Sequence, residues 1–162
     1  TVEAMRTVSV SWCSYSFVTQ LRSWMPDEIG GICWFSVENP GQSPRIPIFT
    51  GSTVLPSCFD ECGHNNYNEE TLLWRYRKAN KLAQIQWGST KNAMTSSILR
   101  YEEKAAKEIP ALEKEVMALL EESKKEEAQK LMNRYTIDFE AATANTWKEL
   151  EQTFWERFWI NF

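Results

Sequence analysis

The sequence predicts an α+β fold with its strands first and its helices second, and three observations carry that prediction. Up to about residue 70 the chain is rich in Gly, Pro, β-branched and aromatic residues, and its only bases are Arg6, Arg22 and Arg45. Beyond that point Glu, Lys, Ala and Leu dominate and Pro110 is the sole proline. The apolar period changes from two to near 3.6 across the same boundary. The expected organisation is a β-rich segment over 1–69 and a helical one over 70–162. Together, residues 1–162 form a single domain or a fragment of a larger one.

Thr7 to Arg22 is the first strand candidate. Val8, Val10 and Trp12 alternate with Thr7, Ser9 and Ser11, and the phase switches after Cys13, which calls for a bulge or a break there. Met25-Pro26-Asp27-Glu28 reads as a turn, because proline presets its own φ and acidic residues favour such positions. Ile32 to Val37 is apolar on both faces, as a central strand is, and Asn39-Pro40-Gly41 stops it. Pro44 and Pro47 lack ladder donors, so the stretch to Phe49 suits an edge. Residues 57–69 form a polar loop.

Four helical segments are expected next. Asn68 is a candidate N-cap for a helix carrying Leu72, Leu73, Tyr76, Ala79, Ala83 and Trp87, with Gly88 as its stop. A second helix spans about Ser89 to Glu108, and Pro110 starts a third or kinks a longer one. The Glu/Lys stretch at 121–130 reads as a solvated face. The last helix uses Leu131, Tyr135, Phe139, Trp147, Leu150 and Phe154 and ends in an aromatic tail that should dock against protein.

Composition narrows the function. A net charge of −4 argues against a nucleic-acid partner, and no stretch reaches the roughly 18 apolar residues of a membrane helix. Eight tryptophans among the 162 residues must find packed environments or a partner surface. Cys13, Cys33, Cys58 and Cys62 lack the density of a disulfide scaffold. Free thiols and a cytoplasmic compartment are therefore favoured, with export open to a parent carrying a signal peptide.

Three motifs carry a resemblance. They are Ser16-x-x-x-Gln20-Leu21-Arg22, Gly30-Gly31-x-x-Trp34, and the segment from Pro47 to Gly51; the stretch Tyr135 to Leu150 adds to them. With them the chain resembles the C-terminal portion of the dipeptidase A-like cysteine dipeptidases, N-terminal-nucleophile hydrolases related to the secernins. The resemblance implies part of a four-layer αββα fold with two stacked antiparallel sheets. It also implies hydrolysis of dipeptides by a mature N-terminal Cys whose own amine is the base, without metal or other cofactor. That Cys is absent here, so no catalytic residue is expected on this chain, and the chain alone is expected to be inactive. A dipeptide substrate, and either the missing N-terminal segment or a second copy as partner, follow from the same resemblance. A non-enzymatic interaction module and a related non-peptide amidase are the alternatives.

Individual residues divide between chemistry and structure. Gln20 and Arg22 on one strand end could hold a substrate carbonyl or carboxylate, since the planar guanidinium binds carboxylates bidentately. Against that stands a structural Arg22 paired with Asp27 or Glu28. The two glycines permit a close backbone approach, and Trp34 belongs to the core or a pocket wall. Cys58-x3-Cys62-x-His64 has a gap compatible with zinc but lacks a second Cys pair, and a Cys–His nucleophile there lacks an orienting third group. Thr1 is the remaining nucleophile candidate, with its α-amine as base.

Overall fold

The computed structural model describes residues 9–160. Thr1 and the start of the first strand candidate, Thr7 and Val8, lie outside the described residues. The element order is β1 (Tyr15–Leu21), α1 (Asp27–Gly30), β2 (Gly31–Val37), β3 (Ile46–Phe49), a 3-10 turn at Ser57–Phe59, α2 (Leu72–Ile85), α3 (Trp87–Glu121) and α4 (Lys125–Ile160). The fold is α+β, with antiparallel strands preceding the helices, and is consistent with an N-terminal-nucleophile peptidase.

Among the described residues the sheet has the order β1-β2-β3, antiparallel throughout. Tyr15 pairs with Val37 and Leu21 with Gly31, while Ile32 pairs with Phe49 and Phe35 with Ile46. Side chains alternate across this register. Ile32, Trp34, Pro47 and Phe49 therefore share one face with Val18 and Gln20. This face meets the helices: the Phe49 ring lies edge-on to Tyr135 of α4 at 6.0 Å, and the Thr136 hydroxyl donates to the Pro47 carbonyl at 2.8 Å. On the opposite face Tyr15 stacks on Phe17 and Phe35, and Phe35 leans on Phe59 of the 3-10 turn.

The first strand is shorter than its alternation predicts. Cys13 N–H bonds the Val10 carbonyl in a turn, which is the physical source of the phase switch, and pairing begins only at Tyr15. The Pro26 turn winds into one turn of helix, α1. β2 is central and β3, with Pro47, is an edge, where a missing N–H costs no ladder bond on its open side.

The helices depart further from expectation. Asn68 does not cap α2. Its side chain accepts from Glu70 N–H in an Asx turn, and Thr71 occupies the N-cap position. Gly88 does not end a helix but lies in the first turn of α3, and the break falls at Gln86 with φ −132°. Of the two options at Pro110, the start of a third helix and a longer helix that contains it, the structure has the longer helix. Pro110 sits inside a 35-residue α3 that replaces the second and third expected segments. The 121–130 stretch holds the turn that reverses the chain, with Ser123 at φ 61°, and Ala128 within it is buried. α3 and α4 thus form a long hairpin, and α4 packs against α2 and β3 as well.

Tyr76, Phe139, Trp147, Phe154, Met94 and Val116 are almost fully buried in one cluster that also includes Ile29, Ile32, Ile46 and Phe49 of the sheet half. The Trp147 indole donates to Asn80 Oδ1 at 2.9 Å and to the Gln42 carbonyl at 3.2 Å, tying α4 to α2 and to the loop before β3. No helix among the described residues is long and apolar enough to cross a membrane.

Candidate functional site

The sequence motifs meet at one end of the sheet. Leu21 and Arg22 leave β1, Gly30 and Gly31 lead into β2, and Thr50 and Gly51 leave β3. These six line a cleft of about 620 Å³, closed on the helical side by Lys125 and Gln129. Backbone contact draws them this close. Arg22 N–H bonds the Gly30 carbonyl at 2.9 Å and Gly51 N–H bonds the Glu28 carbonyl at 2.7 Å. A Cβ on Gly30 would stand 2.9 Å from the Arg22 carbonyl oxygen, and one on Gly51 would stand 2.7 Å from that of Glu28. Both contacts are with backbone, which cannot swing aside, so only glycine fits.

Arg22 is already engaged. Its guanidinium pairs with Glu113 of α3 at 2.5 Å and donates to the Ile29 carbonyl at 2.9 Å, and both partners of the ion pair are only 12% exposed. The acid is therefore not the neighbouring Asp27 or Glu28 but one 91 residues away, an association that helical periodicity alone does not reveal. Binding a substrate carboxylate at Arg22 would require displacing Glu113. Gln20 lies apart from the cleft, on the helix-facing side, where its Oε1 accepts from the Trp34 indole at 3.2 Å. The structure thus separates the two residues. Trp34 itself is half-buried, packed against the core and forming a pocket wall.

Other polar groups of the cleft also hold one another. The Thr50 hydroxyl donates to the Asp27 carbonyl. Lys125 pairs with Glu28 at 2.9 Å, and that hydrogen bond holds the Glu28 carboxyl below the usual carboxylate range. The arrangement clamps three strand ends to the start of α4.

The thiols are spread out. Cys58 is buried beside Glu140, whose two carboxylate oxygens both accept from Arg75 Nη1, at 3.1 and 3.2 Å. Burial first, and then the Glu140 carboxylate, push the Cys58 thiol up to about 12, which keeps it protonated and inert. Burial also raises the Cys33 thiol. Cys13 donates its S–H to the Tyr15 carbonyl. Cys62 and His64 are exposed in the loop, and no hydrogen bond joins His64 to any described thiol. The Cys58, Cys62 and His64 spacing therefore does not become a Cys–His pair. Among the described residues, no three of His, Cys, Asp and Glu come together as metal ligands.

A charged cluster at the far end of β2 escaped the sequence reading. Glu38 is fully buried at φ 64°, a conformation disfavoured for a residue with a Cβ. Its carboxylate meets Lys81 Nζ at 3.0 Å and Arg77 Nε at 3.4 Å, and accepts from Asn39 N–H at 2.7 Å. Its signal in the sequence is a lone Glu before Asn-Pro-Gly, with both bases four residues apart on one helix.

A sequence model of peptidase family C69 matches residues 1–100, more than half of the chain. The chain belongs to peptidase family C69, the dipeptidase A-like cysteine peptidases. No curated protein matches it. The matched span includes the sheet, every strand end of the cleft, α2 and the first part of α3. Arg22 with Glu113 and Glu28 with Lys125 join the strand ends of this span to α3 and α4.

Proposed function

We propose that this chain is the C-terminal part of a cysteine dipeptidase whose nucleophilic N-terminal Cys lies outside it. In the complete enzyme the Cys amine takes the thiol proton as the sulfur adds to the scissile carbonyl. The tetrahedral adduct then expels one amino acid, whose amine takes that proton from the Cys ammonium, and water hydrolyses the thioester to release the other and restore the thiol. The step uses no metal. The observation that supports this reading, beside family membership, is the state of Cys58: buried beside the Glu140 carboxylate, its thiol is held in the protonated form.

The partner is the nucleophile-bearing segment, added to the open edge of β1. Tyr15, Phe17, Val18 and Leu21 are each more than half exposed on that strand, on both its faces. The edge carries no charge, proline or bulge to deter another strand. Self-association through the same edge is the outcome expected when the segment is withheld. A Val18→Lys variant should reduce either pairing, read by sedimentation. Undiminished association would place the interface elsewhere.

An interaction module is the second reading, favoured by Trp155 and Trp159, 57% and 84% exposed at the end of α4. A related non-peptide amidase shares the architecture. Assay of the purified chain against dipeptides, alone and with a Cys-bearing segment, tests the proposal. Hydrolysis only after addition supports it. Hydrolysis by the chain alone, lost in Cys13→Ser, overturns it, and turnover of simple amides but not dipeptides indicates the amidase.

A further inference from the structure

A second cavity, away from the strand-end cleft, lies between the loop leading into β3 and the outer face of α3. It encloses about 310 Å³ and is lined by Trp34, Pro44, Arg45, Ile98, Tyr101, Glu102 and Ala106. Ile98, Glu102 and Ala106 recur at intervals of four, so α3 offers one continuous stripe to the cavity. The Trp34 indole, steadied by its bond to Gln20, forms the facing wall. Pro44, Ile98 and Tyr101 complete an apolar lining.

Two opposite charges share this space, and neither has a side-chain or backbone partner among the described residues. Arg45 is half-buried and Glu102 exposed. This contrasts with Arg22, Arg75 and Arg77, each of which meets a carboxylate. An unpaired guanidinium beside apolar walls retains its five donors in a fork that matches a carboxylate. A nearby carboxylate is complementary to an ammonium. The two together, with aromatic and aliphatic walls, present the complement of a zwitterion with an apolar side chain.

We propose that this cavity is a binding site for a free apolar α-amino acid. Arg45 takes the α-carboxylate, Glu102 the α-ammonium, and the side chain lies among Trp34, Pro44 and Ile98. The cavity stands at the small end of the roughly 300–1,000 Å³ span of ligand pockets, which suits one amino acid rather than a longer peptide. The site is independent of hydrolysis, and its test reads binding alone.

L-phenylalanine titrated calorimetrically into the purified chain should bind saturably with a dissociation constant of about 1 mM or tighter. Phenylalaninamide, which lacks the carboxylate, and the Arg45→Gln variant should each weaken binding at least about tenfold, the scale of one lost charge-assisted contact. N-acetylphenylalanine, which lacks the ammonium, should bind wild type and Glu102→Gln equally. Ala106→Leu should fill the cavity and abolish binding, with an unchanged circular dichroism spectrum showing that the fold persists. Absence of saturable heat at about 10 mM phenylalanine overturns the proposal. So does equal affinity for the amide, or binding unaffected by Arg45→Gln.

Discussion

At the scale of single residues, Arg22 and Cys58 separate structure from chemistry. Arg22 sits in a motif that invites a substrate role, yet its guanidinium is held by Glu113 and the carbonyl of Ile29. Removing one member of a buried pair strands the other, so Arg22→Ala and Glu113→Ala should each cost about 3 kcal/mol in urea denaturation. Replacing both by apolar residues should cost less than the two single changes together. Additive costs would show that the pair does not couple. Cys58 gives a chemical readout. With its thiol pushed up to about 12, it should resist alkylation near pH 8 while exposed Cys62 reacts, as resolved by peptide mass spectrometry. The sign of the pH effect follows from proton counts. Above the ordinary thiol value of 9.0 the unfolded chain loses the Cys58 proton while the native chain keeps it. The stabilisation is therefore complete below that pH and drains away as pH rises toward about 12. Cys58→Ala should flatten the fall in stability between about pH 9 and 11; an unchanged slope would place the alkaline loss on other groups. That Cys58 is buried beside Glu140 was not legible, because a polar loop in sequence gives no sign that one of its residues is pinned to a helix 82 positions later.

At the scale of elements, local pattern read types well and boundaries poorly. β2 and β3 lie where apolar runs and prolines place them, since those signals act through backbone chemistry within a few residues. Pro110 left two options, the start of a third helix or a place within a longer one, because proline removes an intrahelical donor, and α3 takes the second. The structure keeps the helix because Ile109, Leu112 and Val116 bury on both sides of it, so tertiary packing outweighs the local cost. The aromatic tail of α4 divides by face. Phe154 and Phe158 are buried, whereas Trp155 and Trp159 project outward. Phe154→Ala should therefore cost about 3–4 kcal/mol, and deletion of 151–162 should cost the fold. Trp159→Ser should change stability by no more than about 0.5 kcal/mol. A truncated chain that keeps its thermal transition would make the tail a docking device rather than a part of the core. The long-range pairs Arg22–Glu113 and Trp147–Asn80 were not legible in the sequence, since nothing local selects one helix face over another as the partner of a strand end.

At the scale of the molecule, β1 lies at an edge of the sheet among the described residues. Helices cover the face carrying Ile32 and Phe49, while β1 presents an uncharged edge and apolar residues on both faces. Family membership was legible because parts of the motifs that carry it, Leu21-Arg22, Gly30-Gly31 and the end of the Pro47 to Gly51 segment, are drawn together by close backbone packing, where residue type is fixed by geometry. The cavity at Arg45 and Glu102 was not, because it arises from loop and helix surfaces 57 residues apart with no motif between them. The measurement that bears most directly on the central claim is dipeptide hydrolysis by the purified chain, before and after addition of a separately prepared Cys-bearing N-terminal segment. The account predicts no turnover above the uncatalysed blank before addition, and turnover after it that a Cys→Ser change in the segment abolishes. Turnover by this chain alone, removed by substituting one of its own thiols or Thr1, would contradict it.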